Sequence, residues 1–130
     1  MWTTRVPEYA PPEPFEFYKI LVPTVDSVLY TWLLEKQVGV GKPVLLVGES
    51  GTAKSVTVQN YLLDLDPEAF MILNVNFSSR TTSKDVQVSI EDNVDKRSGR
   101  TYGPPVGKKL VIFIDDLNMP KVDIYGTQQP

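Results

Sequence analysis

The sequence has 130 residues, with 13 basic against 16 acidic side chains, a net charge of −3, and neither Cys nor His. That length holds one domain at most, and the charge balance, with no long basic block, speaks against nucleic acid as a partner. Without Cys or His there are no disulfides and no thiolate or imidazole ligands, so any metal must be held by oxygen, which suits Mg²⁺. The first residues lack a basic-then-apolar signal pattern, and no apolar run approaches the ~18 residues that would span a bilayer. A cytoplasmic protein without a membrane association is the expectation.

Residues 1–18 carry Pro7, Pro11, Pro12 and Pro14 among acidic and aromatic side chains, which removes helix donors and predicts an extended, Pro-rich connector. Its aromatic residues, Trp2 among them, also suit a strap lying on a neighbouring surface. A first helix is expected after Pro23, with Thr24 as N-cap, Asp26 in the first turn, and Val25, Val28, Leu29, Trp32 and Leu33 on one face up to a stop at Gly39. Val44 to Val47 is a short apolar run of the kind expected for a parallel strand buried on both faces.

That run leads into Gly48-Glu49-Ser50-Gly51-Thr52-Ala53-Lys54-Ser55, which fits the phosphate-loop pattern G-x-x-x-x-G-K-[ST] except that Ala53 replaces the second glycine. In such a loop successive backbone N–H groups face a phosphate and the next helix adds the positive end of its dipole. Lys54 would reach the terminal phosphates, and the Ser55 hydroxyl would take one Mg²⁺ position.

Val58, Tyr61, Leu62 and Leu65 predict a second amphipathic helix closed by Asp66-Pro67, and Met71 to Phe77 a strand with Asn74 and Asn76 on its polar face, marking an edge or a site. A third helix is predicted from an N-cap at Thr82 with Asp85 as its capping-box partner, carrying Val86, Ile90 and Val94 inward and ending at Ser98-Gly99. Tyr102 to Gly107 reads as loop or hairpin, and Lys108 and Lys109 as solvated charges or phosphate contacts. Leu110 to Ile114 is another buried-strand run and ends in Asp115-Asp116. Two adjacent carboxylates are tolerable at the carboxyl end of such a strand, where Mg²⁺ offsets their charge. Asp115 would enter the Mg²⁺ shell, and Asp116 stands where a carboxylate polarises an attacking water. The alternation of helices and strands predicts an α/β fold with a parallel sheet flanked by helices, a P-loop nucleotide-binding module.

The strings ILVPTVDSVLYTWLLEKQ, PVLLVGESGTAKS, NFSSRTTSKDVQ, TYGPPVGKKLVIFIDDLNMP and YGTQQP resemble the AAA+ modules of axonemal dynein heavy chains, in particular the third module. The alanine before the lysine is a feature of that module, so Ala53 fits the resemblance. It implies that residues 19–130 are the N-terminal part of an AAA+ ATP-binding domain, incomplete at the C-terminus because the fourth strand, the fifth and the helical lid do not follow. It implies ATP or ADP with Mg²⁺ as cofactors and Leu21 and Val22 as base contacts. It further implies neighbouring AAA+ modules, dynein complex subunits and microtubules as partners of the parent motor, and the cytoskeleton of the ciliary axoneme as its location. The third module is regulatory in that family, with a structural ring module of little turnover as the alternative. The usual second acid there is Glu, so the shorter Asp116 implies slow hydrolysis. By itself the 130-residue chain is expected to be catalytically incompetent and prone to aggregate through open strand edges.

Overall fold

Thr24 stops the chain entering α1 (Val25–Gly39) in an extended conformation and turns its hydroxyl onto the helix: the Ser27 N–H donates to Thr24 Oγ1 at 3.1 Å, and the Thr24 N–H donates to Ser27 Oγ at 2.8 Å. Reciprocal capping of this kind satisfies two donors that the first turn would leave open. At the other end the expected stop at Gly39 moves by two residues. Gly39 is the last helical residue, and Gly41 takes the left-handed conformation with φ 68°, so that its N–H reaches Val38 O at 3.0 Å and the Lys42 N–H reaches Gln37 O at 2.9 Å. This pair of bonds is the Schellman closure, which needs its positive φ one residue past the cap.

The computed structural model describes residues 2–10 and 22–122, in two compact units, Met1–Asp64 and Leu65–Pro130. Four of the residues in the expected connector, Trp2–Arg5, form one turn of 3-10 helix in the first unit. Trp2 meets Trp32 of α1 edge-on, with ring centroids 5.3 Å apart and planes at 66°, and the Arg5 guanidinium lies 5.1 Å from the Trp2 ring centroid.

The second element of the first unit is α2 (Lys54–Leu63), shorter than its apolar pattern suggested: Asp64 caps it, and Asp66 belongs to the turn that follows. Its buried face is Thr57, Tyr61 and Leu62, and α1 contributes Leu34. Leu34 is absent from the expected apolar stripe, whereas Val25 and Leu33 of that stripe are exposed. The groove that α1 shares with α2 is lined by Val28 and Trp32 of that stripe together with Ser27, Thr31 and Glu35, so the packed side of α1 coincides only in part with the one that hydrophobic spacing marks.

Residues 44–47 depart furthest from expectation. They form no strand: Leu45 and Val47 are 70% and 85% exposed, and among the described residues no ladder pairs with them. A parallel strand is held by hydrogen bonds to neighbours on its edges, and apolar character cannot replace those partners.

In the second unit β1 (Phe70–Asn76) and β4 (Lys109–Asp115) pair in parallel, with Met71 opposite Leu110 and Asn76 opposite Asp115. The parallel direction matches the expected sheet. Met71, Leu73, Val75 and Phe77 alternate inward as expected, Phe77 being buried, while Asn74 and Asn76 face outward. The crossover contains α3 (Ser83–Glu91) and a short antiparallel hairpin, β2 (Asp95–Lys96) with β3 (Tyr102–Gly103). Helix α3 has the expected Thr82–Asp85 capping box but ends at Glu91, short of Ser98-Gly99, because residues 95 and 96 are drawn into the hairpin.

Candidate functional site

The loop Gly48–Ser55 belongs to the first unit and opens α2 directly. Two residues turn it. Gly51 has φ 80°, and Ala53, the N-cap of α2, has φ 58° and ψ 21°. Ala53 therefore occupies the left-handed region that a glycine would enter without strain. Its carbonyl is fixed from the helix side by both the Thr57 N–H at 3.0 Å and the Thr57 hydroxyl at 2.8 Å, which also satisfies the buried threonine.

Lys54, the first helical residue, folds back over the loop. Its ammonium donates to Gly48 O at 2.8 Å, Glu49 O at 2.5 Å and Thr52 Oγ1 at 3.0 Å, while the Thr52 hydroxyl donates to Glu49 O at 2.8 Å. A Cβ on Gly48 would meet the lysine chain at 3.6 Å, an ordinary van der Waals contact. Among the described residues nothing accepts from the N–H groups of residues 49–53, which leaves a run of backbone donors at the positive end of a helix. Ser55 is the second residue of α2 and half-buried. This donor set suits an anion the size of a phosphate, and the hydroxyl beside it suits a hard cation.

Asp115 and Asp116 lie in the second unit, where β4 ends. Asp115 is the last residue of the strand and half-buried; its carbonyl accepts from the Phe77 N–H at 3.0 Å, and its Oδ1 from the Asp116 N–H at 3.0 Å. Asp116 leaves the strand at φ 54°, a conformation that Asp tolerates better than most residues. In a parallel ladder opposed residues share a face, so the register puts Asn76 on the same side of the sheet as Asp115. The alternation in the sequence marks Asn76 as unusual for a strand, but only the register ties it to the acid. Lys108 donates to Pro67 O at 2.8 Å, and both it and Lys109 stand at the opposite end of β4 from Asp115. Of the two expected base contacts, Val22 is exposed just before α1, and Leu21 lies outside the described residues.

Among the described residues two titratable groups depart from their usual range. Burial, followed by the nearby Glu35 carboxylate, pushes the Tyr61 phenol up, and the Thr82 N–H holds the Asp85 carboxyl below the ordinary carboxylate range. Tyr61 belongs to the packing of α2, and Asp85 to the cap of α3.

The P-loop containing dynein motor region, as a sequence family, matches residues 9–130. The chain belongs to that family. It is 63% identical over 129 residues to the "Dynein-1-alpha heavy chain, flagellar inner arm I1 complex" of Chlamydomonas reinhardtii, covering 99% of this chain and 3% of that one. It is 55% identical to "Dynein axonemal heavy chain 10" of Homo sapiens, again over 99% of this chain and 3% of the relative. A third relative, "Dynein axonemal heavy chain 5" of Mus musculus, is 50% identical over 98% of this chain and 3% of its own length. The chain thus spans about 3% of the length of these curated relatives. An α/β fragment of a dynein AAA+ region, with helices and a parallel strand pair, accounts for both the sequence match and the fold.

Proposed function

We propose that the chain grips Mg²⁺–ATP, or ADP, as a regulatory AAA+ module of an axonemal dynein heavy chain, contributing to microtubule-based movement in cilia. The observation that carries this reading is the loop itself: left-handed turns at Gly51 and Ala53, unclaimed backbone donors at residues 49–53, and the Lys54 ammonium gathered over them. Phosphate oxygens offer Lys54 stronger, charge-assisted acceptors than the carbonyls of Gly48 and Glu49. Bound Mg²⁺ would neutralise phosphate charge, with the Ser55 hydroxyl and Asp115 carboxylate as its oxygen ligands. Asp116 orients and polarises water, Asn76 stands on the face of Asp115, and Leu21 and Val22 contact the base. Residues 19–130 form the N-terminal part of the module and residues 1–18 its connector. Neighbouring AAA+ modules and dynein subunits are its immediate partners, and microtubules are reached through the parent motor.

The test is calorimetric titration of Mg²⁺–ATP into the protein expressed in its natural sequence context, wild type against Lys54→Ala. Loss of one charged hydrogen-bonding partner, worth about 1.5–3 kcal/mol, weakens binding by roughly 10- to 150-fold. Equal affinity in the two proteins refutes the reading. A second reading, a ring module that scarcely turns over, is favoured by the shorter acid and left-handed backbone of Asp116. Single-turnover hydrolysis by Asp116→Asn separates the two, since equal rates favour the structural role.

A further inference from the structure

The crossover between α3 and β4 concentrates positive charge: Lys96, Arg97, Arg100, Lys108 and Lys109 stand against the single acid Asp95 in residues 95–109. The hairpin that presents it is slight. Asp95 pairs with Gly103 and Lys96 with Tyr102, and the tip closes through a Thr101 N–H donating to Ser98 O at 3.3 Å. Gly99, at the first central position, has φ 68°, the demand of a type II′ turn. Arg97 braces the base: its N–H donates to Thr101 O at 2.8 Å, its Nη2 donates to Pro104 O at 2.6 Å, and its guanidinium crosses Gly103 so closely that a Cβ there would lie 3.1 Å from Nε. Residues 95–102 are all exposed, and among the described residues nothing hydrogen-bonds the Ser98 hydroxyl.

We propose that Ser98 is a phosphorylation site for a serine/threonine kinase that selects basic side chains two residues before and two residues after its target. Lys96 and Arg100 supply those charges to an acidic substrate channel, and Gly99 lets the chain straighten into it. A ladder of two pairs opens at little cost, as isolated hairpins are marginal in water. The same spacing occurs once more, around Thr82 with Arg80 and Lys84, and the structure separates the two sites. Thr82 Oγ1 donates to Asp85 Oδ2 at 2.8 Å and accepts from the Asp85 N–H at 3.3 Å, so attack there costs a helix cap and sets a phosphate against a carboxylate. Ser98 pays neither penalty.

In the reaction Ser98 Oγ bonds to the γ-phosphorus of ATP as the bond to the β,γ-bridging oxygen breaks. ADP leaves, and the hydroxyl proton passes to the carboxylate base of the kinase. The product adds about −1.5 to −2 charges between Lys96, Arg97 and Arg100 and offers Arg97 a better acceptor than the Pro104 carbonyl. The modification thereby cancels most of the positive charge at the tip and moves the brace that holds the hairpin.

The experiment treats the intact protein with a basophilic serine/threonine kinase and Mg²⁺–ATP, then cleaves before aspartates to release residues 95–114 for fragmentation mass spectrometry. One phosphoryl group on Ser98 is expected, absent in Ser98→Ala, with initial incorporation roughly 10-fold lower in the double variant Lys96→Ala, Arg100→Ala, the equivalent of ~1.4 kcal/mol in selectivity. No label on residues 95–114, label on Thr101 or Thr82 in preference to Ser98, or an unchanged rate in the double variant would each overturn the proposal.

Discussion

Ala53 is where the loop departs from the phosphate-loop pattern, and its backbone makes that departure measurable. At φ 58° and ψ 21° the residue holds a conformation that costs an L-amino acid about 1–2 kcal/mol. The double anchorage of its carbonyl by Thr57 prevents relaxation towards a right-handed conformation. Replacing it by glycine removes that strain and returns about 0.4–1 kcal/mol through the greater freedom of the unfolded chain. The balance for Ala53→Gly is a gain of about 0.5–1 kcal/mol, whereas Ala53→Val, with a β-branched side chain forced to positive φ, loses about 1 kcal/mol or more. Amide exchange over residues 54–63, followed by mass spectrometry on the protein in its natural sequence context, reads the difference. Exchange through opening of α2 slows about two- to fivefold in the glycine variant and accelerates in the valine variant. Equal or faster exchange in Ala53→Gly, or unchanged exchange in Ala53→Val, would refute the argument that the loop stores strain at this residue.

Three further outcomes follow from other contacts. Trp32→Ala removes the edge-on contact with Trp2, worth about 0.5–1.5 kcal/mol, so amides of residues 2–5 exchange roughly 2- to 10-fold faster while Trp32→Phe keeps most of the protection. Asp85 has a carboxyl held low by the Thr82 N–H, so its contribution to α3 is present above the unfolded carboxylate value of about 3.9 and is lost as pH falls through the lower folded value. Helix protection measured across that acid range therefore drops in wild type and loses this dependence in Asp85→Asn. Tyr61 runs the other way: its raised phenol contributes stability that is whole below about pH 10 and is lost as pH rises through the folded value. In an ultraviolet titration the absorbance change that Tyr61→Phe removes falls above about pH 10, and its appearance at the ordinary phenol value would contradict the burial.

Local signals in the sequence were sufficient wherever the physics is local. The N-cap at Thr24 and the capping pair of Thr82 with Asp85 need only a hydroxyl within three residues of its partner, and both form, Ser27 adding the reciprocal bond at Thr24. The alternation from Met71 to Phe77 implies a strand with one inward face, and the glycines and Lys54 imply a phosphate loop heading a helix. Where helices end proved less legible. Gly41 rather than Gly39 closes α1, because the Schellman bonds reach past the cap, and α3 stops at Glu91 because the next residues pair with Tyr102 and Gly103, partners that periodicity within α3 does not contain.

What the sequence determined by itself is therefore the local pattern: a glycine-containing loop of the phosphate-loop type heading a helix, a pair of acids ending a strand, and enough family resemblance to place both in a dynein motor region. Tertiary structure decided what depends on partners distant in the chain. It paired β1 with β4 and thereby seated Asn76 beside Asp115. It buried Leu34 in place of more regularly spaced neighbours, and among the described residues it left 44–47 without a ladder despite their composition. Helix caps and tight turns are satisfied within a few residues, whereas strands and cores exist only when a second segment supplies the other half of the contact.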